Sequence, residues 1–180
     1  MKKELLQSIE IPGGVEVTIE GSTLLVKGPK GENKRKFNTP KLIFEKKDNQ
    51  IILRSKKTTK NEKKVMNTIK AHIVNMLKGV KEKFEYKLKI CFSHFPFNVK
   101  IDGQKVIIKN FLGEKVDRKL NLPEGVEVKI DKEIIIINSI DKELAGQAAA
   151  DLERVTKIRM RDKRVFQDGI YIIDKAGKEI

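Results

Sequence analysis

Two hydrophobic periods alternate along the chain, and each predicts a different element. Val15, Val17 and Ile19 recur at every second position, as do Val99 and Ile101, with Gly21 and Gly103 at the corners that follow. This period places alternate side chains on one face of a strand, so both stretches predict antiparallel hairpins. The run Phe84-Glu-Tyr-Lys-Leu-Lys-Ile-Cys-Phe92 alternates in the same way and predicts a half-buried strand. Elsewhere the period lengthens to that of a helix. Val65, Met66, Ile69, Ile73, Met76, Leu77 and Val80 fall in one sector at 100° per residue, with Lys63, Lys64, Lys70 and Lys78 opposite. Thr59-Lys-Asn-Glu62 reads as a capping box that opens this helix, which should run to about Lys78. A second helix is expected near Asp141 to Thr156. Its stripe of Leu144, Ala145, Ala148, Leu152 and Val155 contains small residues that let it approach a sheet closely.

These elements repeat. Val15 to Glu32 matches Phe97 to Glu114 without a gap. With one residue inserted, Pro40 then faces Pro123, and Asp48-Asn-Gln-Ile-Ile-Leu faces Asp131-Lys-Glu-Ile-Ile-Ile. Each half next enters its helix. The fold class implied is α+β, with two tandem duplicated domains, each a small, mainly antiparallel sheet packed against one helix. The boundary falls near Lys81 to Lys83, giving domains of residues 1–82 and 83–180, the second ending in a basic tail outside the repeat.

Charge changes the picture from fold to function. There are 39 Lys and Arg against 25 Asp and Glu, a net of +14, which calls for a polyanionic partner. A heat-adapted surface or solubility by self-repulsion would explain abundant charge but not its imbalance. A membrane is a poor candidate, because no Arg-rich amphipathic leader is present and the longest apolar run, Ile134 to Ile137, is only strand-sized. Cys91 is the single cysteine, which rules out an intramolecular disulfide, and no signal-peptide pattern precedes Ser8-Ile9-Glu10-Ile11. A reducing, cytoplasmic compartment is expected.

Catalysis would need a nucleophile with a base, paired carboxylates in a cleft, or a metal cluster. The two histidines do not supply it. His72 sits at the edge of the apolar helix sector, and His94, in Ser-His-Phe-Pro-Phe, aligns with Pro12 of the first repeat, which favours a corner role with an RNA contact allowed. Cys91 lacks partners for a metal, and neither metal nor cofactor is expected. Lys27-Gly-Pro-Lys-Gly31 lacks phosphate-loop spacing and reads as a hairpin loop. A nuclease using Asp151, Glu153, Asp162 and Asp168 finds no support in their spacing. Lys30 with Lys34-Arg-Lys36, Arg54 with Lys56-Lys57, and Lys60 with Lys63-Lys64 each suit a solvated face. The run of Arg154, Lys157, Arg159, Arg161, Lys163 and Arg164 differs, being mainly arginine in a lysine-dominated chain. Arginine's planar fork suits phosphates and guanine edges. The run passes into Phe166-Gln167-Asp168-Gly169-Ile170-Tyr171, which offers rings for base stacking and a glycine for close approach to folded RNA. The bland alternative has Phe166 and Tyr171 anchoring a terminal strand in the core.

Three segments, Arg164-Val-Phe-Gln-Asp-Gly-Ile-Tyr-Ile-Ile-Asp-Lys175, Asn110-Phe-Leu-Gly-Glu-Lys115 and Asn75-Met-Leu-Lys-Gly-Val80, resemble the ribosomal large-subunit protein six family in its archaeal and eukaryotic branch. The resemblance spans essentially the whole chain. It implies a non-enzymatic protein of two duplicated domains that binds large-subunit rRNA near the sarcin-ricin loop, beside the stalk base. Neighbouring ribosomal proteins and translation factors would lie close by, with the chain a monomer within the ribosome. The C-terminal domain would be the principal RNA reader, through Lys157, Arg159, Arg161, Lys163, Arg164, Phe166, Gln167, Asp168, Gly169 and Tyr171. Asn110, Gly113 and Lys115 would contribute from the matching loop. The chain stops soon after Gly177, where some relatives carry a longer basic extension. A general RNA chaperone or RNA-processing cofactor on the same scaffold is the runner-up reading.

Overall fold

The structure is a computed structural model that describes residues 5–39, 42–47, 49–55, 59–162 and 164–180. Pro40, Asp48, Lys56, Lys57 and Lys163, used in the sequence reading, lie outside the described residues. The chain divides into two compact units, Met1–Lys83 and Phe84–Ile180.

In the first unit, strands β1 (Leu5–Glu10), β6 (Gln50–Ser55) and β5 (Ile43–Lys47) form one antiparallel sheet in the order β1-β6-β5. Strands β2 (Glu16–Glu20), β3 (Thr23–Gly28) and β4 (Gly31–Lys36) form a second, in sequence order. Helix α1 (Lys60–Lys81) runs three residues past the expected end. Its capping box forms as the sequence predicts: the Glu62 amide donates to Thr59 Oγ1 at 3.4 Å, and the Thr59 amide donates to Glu62 Oε2 at 2.6 Å. Met66, Ile69, Ile73, Met76, Leu77 and Val80 are buried, whereas Val65, at the margin of the sector, is 40% exposed. Gly28 and the turn after it dock on the last turn of the helix. A Cβ at Gly28 would lie 2.8 Å from the Val80 carbonyl oxygen, which accepts from the Lys30 amide at 3.0 Å.

The second unit repeats the plan. Strands β7 (Phe84–Cys91), β11 (Val126–Asp131) and β12 (Ile134–Ser139) take the places of β1, β5 and β6, while β8 (Asn98–Asp102), β9 (Lys105–Lys109) and β10 (Arg118–Asn121) take those of β2, β3 and β4. Asp141 caps helix α2 (Lys142–Val155) by accepting from the Glu143 amide at 2.8 Å. The helix buries Ala145, Ala148, Ala149 and Leu152 on the sheet. Its small residues do allow close approach, since a Cβ on Gly146 would sit 3.4 Å from the Tyr86 hydroxyl. One strand has no counterpart: β13 (Gly169–Lys175) pairs with the second edge of β7, making the sheet β11-β12-β7-β13.

Hydrogen-bond register revises the sequence alignment of the halves. Ile11 and Ile90 are equivalent, each donating to the turn before the strand that pairs with its own (to Asn49 O and Glu133 O). Val17 and Val99 are equivalent next, pairing with Val26 and Ile108. The stretch between is three residues longer in the second unit, and His94 lies within it rather than opposite Pro12. A second lengthening follows. Gly28 pairs with Gly31 across a two-residue turn, while Ile108 pairs with Arg118 across a loop, so Gly31 and Gly113 are not equivalent. Phe37 and Leu122, which donate to Ser22 O and Gln104 O, come back into step three residues later. The buried Ile51, Leu53 and Ser55 correspond to Ile135, Ile137 and Ser139, one residue on from the alignment read in the sequence. A one-residue slip exchanges the faces of a strand, so burial fixes this register firmly.

Candidate nucleic-acid interface

Everything that distinguishes the second unit from the first meets in one place: the longer segment 91–98, the longer loop 110–117 and the tail 156–180. Asp168 joins tail to segment. It is 1% exposed, and its carboxylate accepts from the Ser93 amide at 2.8 Å, the His94 amide at 3.0 Å and His94 Nδ1 at 2.7 Å. Burial works to raise its pKa, but the His94 and Ser93 hydrogen bonds outweigh it and hold the carboxyl well below the usual carboxylate range. Because an ionised carboxylate only accepts, Nδ1 carries the His94 proton. Asp168, read from sequence as an RNA contact, is therefore a buried positioning residue.

The His94 ring stacks on Phe166 with centroids 4.5 Å apart, and the Arg161 guanidinium lies 4.6 Å from the same ring. Phe166 is half-buried and packed against the core, so its ring fixes Arg161 and His94 rather than offering an open stacking surface. Tyr171 stands differently. It is 40% exposed, and the hydroxyl end of its ring lies close to Gly169, where a Cβ would come within 3.2 Å of three of its atoms. Gly169 is buried and thus serves Tyr171 rather than approaching RNA itself. The core anchor of β13 is Ile170, fully buried, whose amide donates to Thr156 Oγ1 at 2.9 Å.

The loop at 110–117 is shaped by left-handed backbone at Asn110 (φ 61°), Leu112 (φ 52°) and Gly113 (φ 75°). The Asn110 side-chain amide donates to Pro96 O at 3.0 Å, bracing the loop against segment 91–98. Phe111 is buried edge-on to Phe97, with centroids 5.2 Å apart. Gly113 and Lys115 are exposed. Arg118 closes the loop. It grips Glu114 with two nitrogens, donates from Nη1 to Val155 O at the end of α2 at 2.6 Å, and lies 4.3 Å over the Phe111 ring. The Arg118 hydrogen bond holds the Glu114 carboxyl below its ordinary pKa.

Between this loop and the tail runs an open groove of about 750 Å³ lined by Arg118, Lys119, Arg154, Lys157, Arg159 and Arg161. Met160, fully exposed with φ 56°, turns the chain between the last two arginines. Arg164 is exposed but engaged locally, its Nη2 lying 2.9 Å from Asp162 Oδ2, and these bonds lower the Asp162 pKa. Gln167 Nε2 donates to Arg164 O at 3.3 Å. Sequence reading missed Arg118 and Lys119. The available signal was that Arg118 is the only arginine between Arg54 and Arg154.

A second cavity, of about 390 Å³, opens beside the end of α2 and is lined in part by Arg154, Lys157, Phe166 and Tyr171. In the first unit, His72 packs near Phe37, with centroids 6.4 Å apart, in keeping with a packing role. Among the described residues, no group of three His, Cys, Asp or Glu could hold a metal, and no helix is long and apolar enough to cross a membrane.

Comparison with known proteins is consistent with this duplicated arrangement. The family model described as ribosomal protein L6 matches the chain twice, over residues 11–83 and 95–169. Large ribosomal subunit protein uL6 of Methanococcus vannielii is 45% identical over 96% of this chain and 94% of its own length. The protein of that name from Methanothrix thermoacetophila is 42% identical over 97% of this chain and 99% of its own, and that from Methanobrevibacter smithii 45% over 94% and 95%. Matches in both halves, with relatives this similar over almost their whole length, settle the family: the chain belongs to the ribosomal protein L6 family, in its archaeal branch.

Proposed function

We propose that the chain is a structural constituent of the large ribosomal subunit, and that its second unit braces rRNA near the sarcin-ricin loop and the stalk base, in the region where translation factors dock. The observation that carries this reading is the groove with six cationic side chains, three of them, Lys157, Arg159 and Arg161, from the tail that the first unit lacks, and the others from β10 and the end of α2 beside it. Lys119, Arg154, Lys157, Arg159 and Arg161 neutralise phosphates and release counterions, and the loop fixed by Arg118 holds those contacts in register. The chain makes and breaks no bond. Its work is to restrict the motion of folded RNA, with neighbouring ribosomal proteins packed beside it.

Chemical footprinting of large-subunit rRNA with and without the protein tests the location. Protection concentrated around the sarcin-ricin loop and the stalk base is expected. Protection spread over unrelated helices, with equal competition by unrelated duplexes, would instead mark a general RNA chaperone.

A further inference from the structure

We infer that the cavity beside the groove receives a single unpaired RNA base, with Tyr171 as its stacking platform. This deepens the proposed function and rests on it. Three observations carry it. First, Tyr171 is backed and exposed at once: its ring sits so close to Gly169 that a Cβ there would crowd it, while 40% of the residue remains open. A rigid, backed ring is what a base needs in order to stack without the cost of ordering its partner. Second, the chemistry of the cavity suits a nucleotide. Arg154 and Lys157 line both this cavity and the groove, so a phosphate held by them stands at the junction, and Glu153 adds a hydrogen-bond acceptor for an exocyclic amino group. Third, the cavity is small. At about 390 Å³ it lies near the lower limit of small-molecule sites and suits one base rather than a run of them, whereas the open groove beside it suits a backbone. Folded RNA is commonly read through bases splayed out of the helix in this way.

The test uses the full chain and three RNA duplexes of otherwise identical sequence: one fully paired, one with a single bulged adenosine, and one with the bulged sugar lacking its base. The base-bearing bulge should bind about tenfold or more tighter than the abasic one, as expected for one stacked base. Tyr171→Ala should abolish that preference and Tyr171→Phe should retain it. Equal affinity for the two bulges, with salt-sensitive binding to the paired duplex intact, would overturn the base site and leave the phosphate-binding reading standing. A preference that survived Tyr171→Ala would overturn it as well. Failure to bind any of the three RNAs would remove both readings. The comparison of the two bulges is made on the unaltered protein, so it decides the matter even if a variant fails to fold.

Discussion

Asp168 shows how a residue in a binding element can act without touching the ligand. Its carboxylate satisfies four donors from Ser93 and His94 while almost wholly buried. Asp168→Asn would set an amide N–H against those donors and should lower stability by about 1–3 kcal/mol at neutral pH, measured by denaturant unfolding. The pH dependence follows from the depressed pKa. The stabilisation is fully present above roughly pH 4, where the aspartate of the unfolded chain is also ionised. It is lost as the pH falls through the lower folded value, so the gap between the two proteins should close in acid. The arginines divide at the same scale. Arg161 lies on Phe166 and lines the groove, whereas Arg164 is tied to Asp162. Arg161→Glu should therefore weaken RNA binding more than Arg164→Glu. Thermal unfolding should change little in either variant, because exposed charges contribute little to stability. Equal losses in titrations at fixed salt would contradict that ranking.

At the scale of elements, the loop at 110–117 depends on Arg118, which joins Glu114, Phe111 and the end of α2 in one contact set. Arg118→Lys keeps the charge but loses the planar fork. It should cost on the order of 1–2 kcal/mol of stability and lower RNA affinity, while leaving the salt dependence of binding nearly unchanged. In Arg118→Gln, which removes the charge, a fall in the salt slope by a full phosphate would show that Arg118 acts as a phosphate ligand instead. Elements of this kind were unequally legible in the sequence. The Thr59 capping box and the alternation of Phe84 to Cys91 are local signals, and α1 and β7 follow from them. Loop length is not a local signal. The gapless match of Gly31 with Gly113 persists in sequence although one glycine begins a strand and the other sits in a left-handed loop. Two three-residue lengthenings leave similar residues in chance alignment, and only the hydrogen-bond ladder separates them.

For the whole molecule, duplication provides two similar scaffolds and asymmetry supplies the site. The net charge of +14 and the arginine run were visible from the first reading and pointed to a polyanion. The division of labour within the site was not. Phe166 and Tyr171 are both rings in one motif, and only packing tells that one is engaged by His94 and Arg161 while the other rests on Gly169 with an open side. Lys119 became part of the groove only because β10 runs beside the tail. The central claim, that this cationic groove holds rRNA through its phosphates, is tested most directly by the salt dependence of binding to a large-subunit transcript containing the sarcin-ricin loop. With Lys119, Arg154, Lys157, Arg159 and Arg161 each neutralising one phosphate of a duplex, the log-log slope should be about −4.5. A slope near zero would contradict the claim.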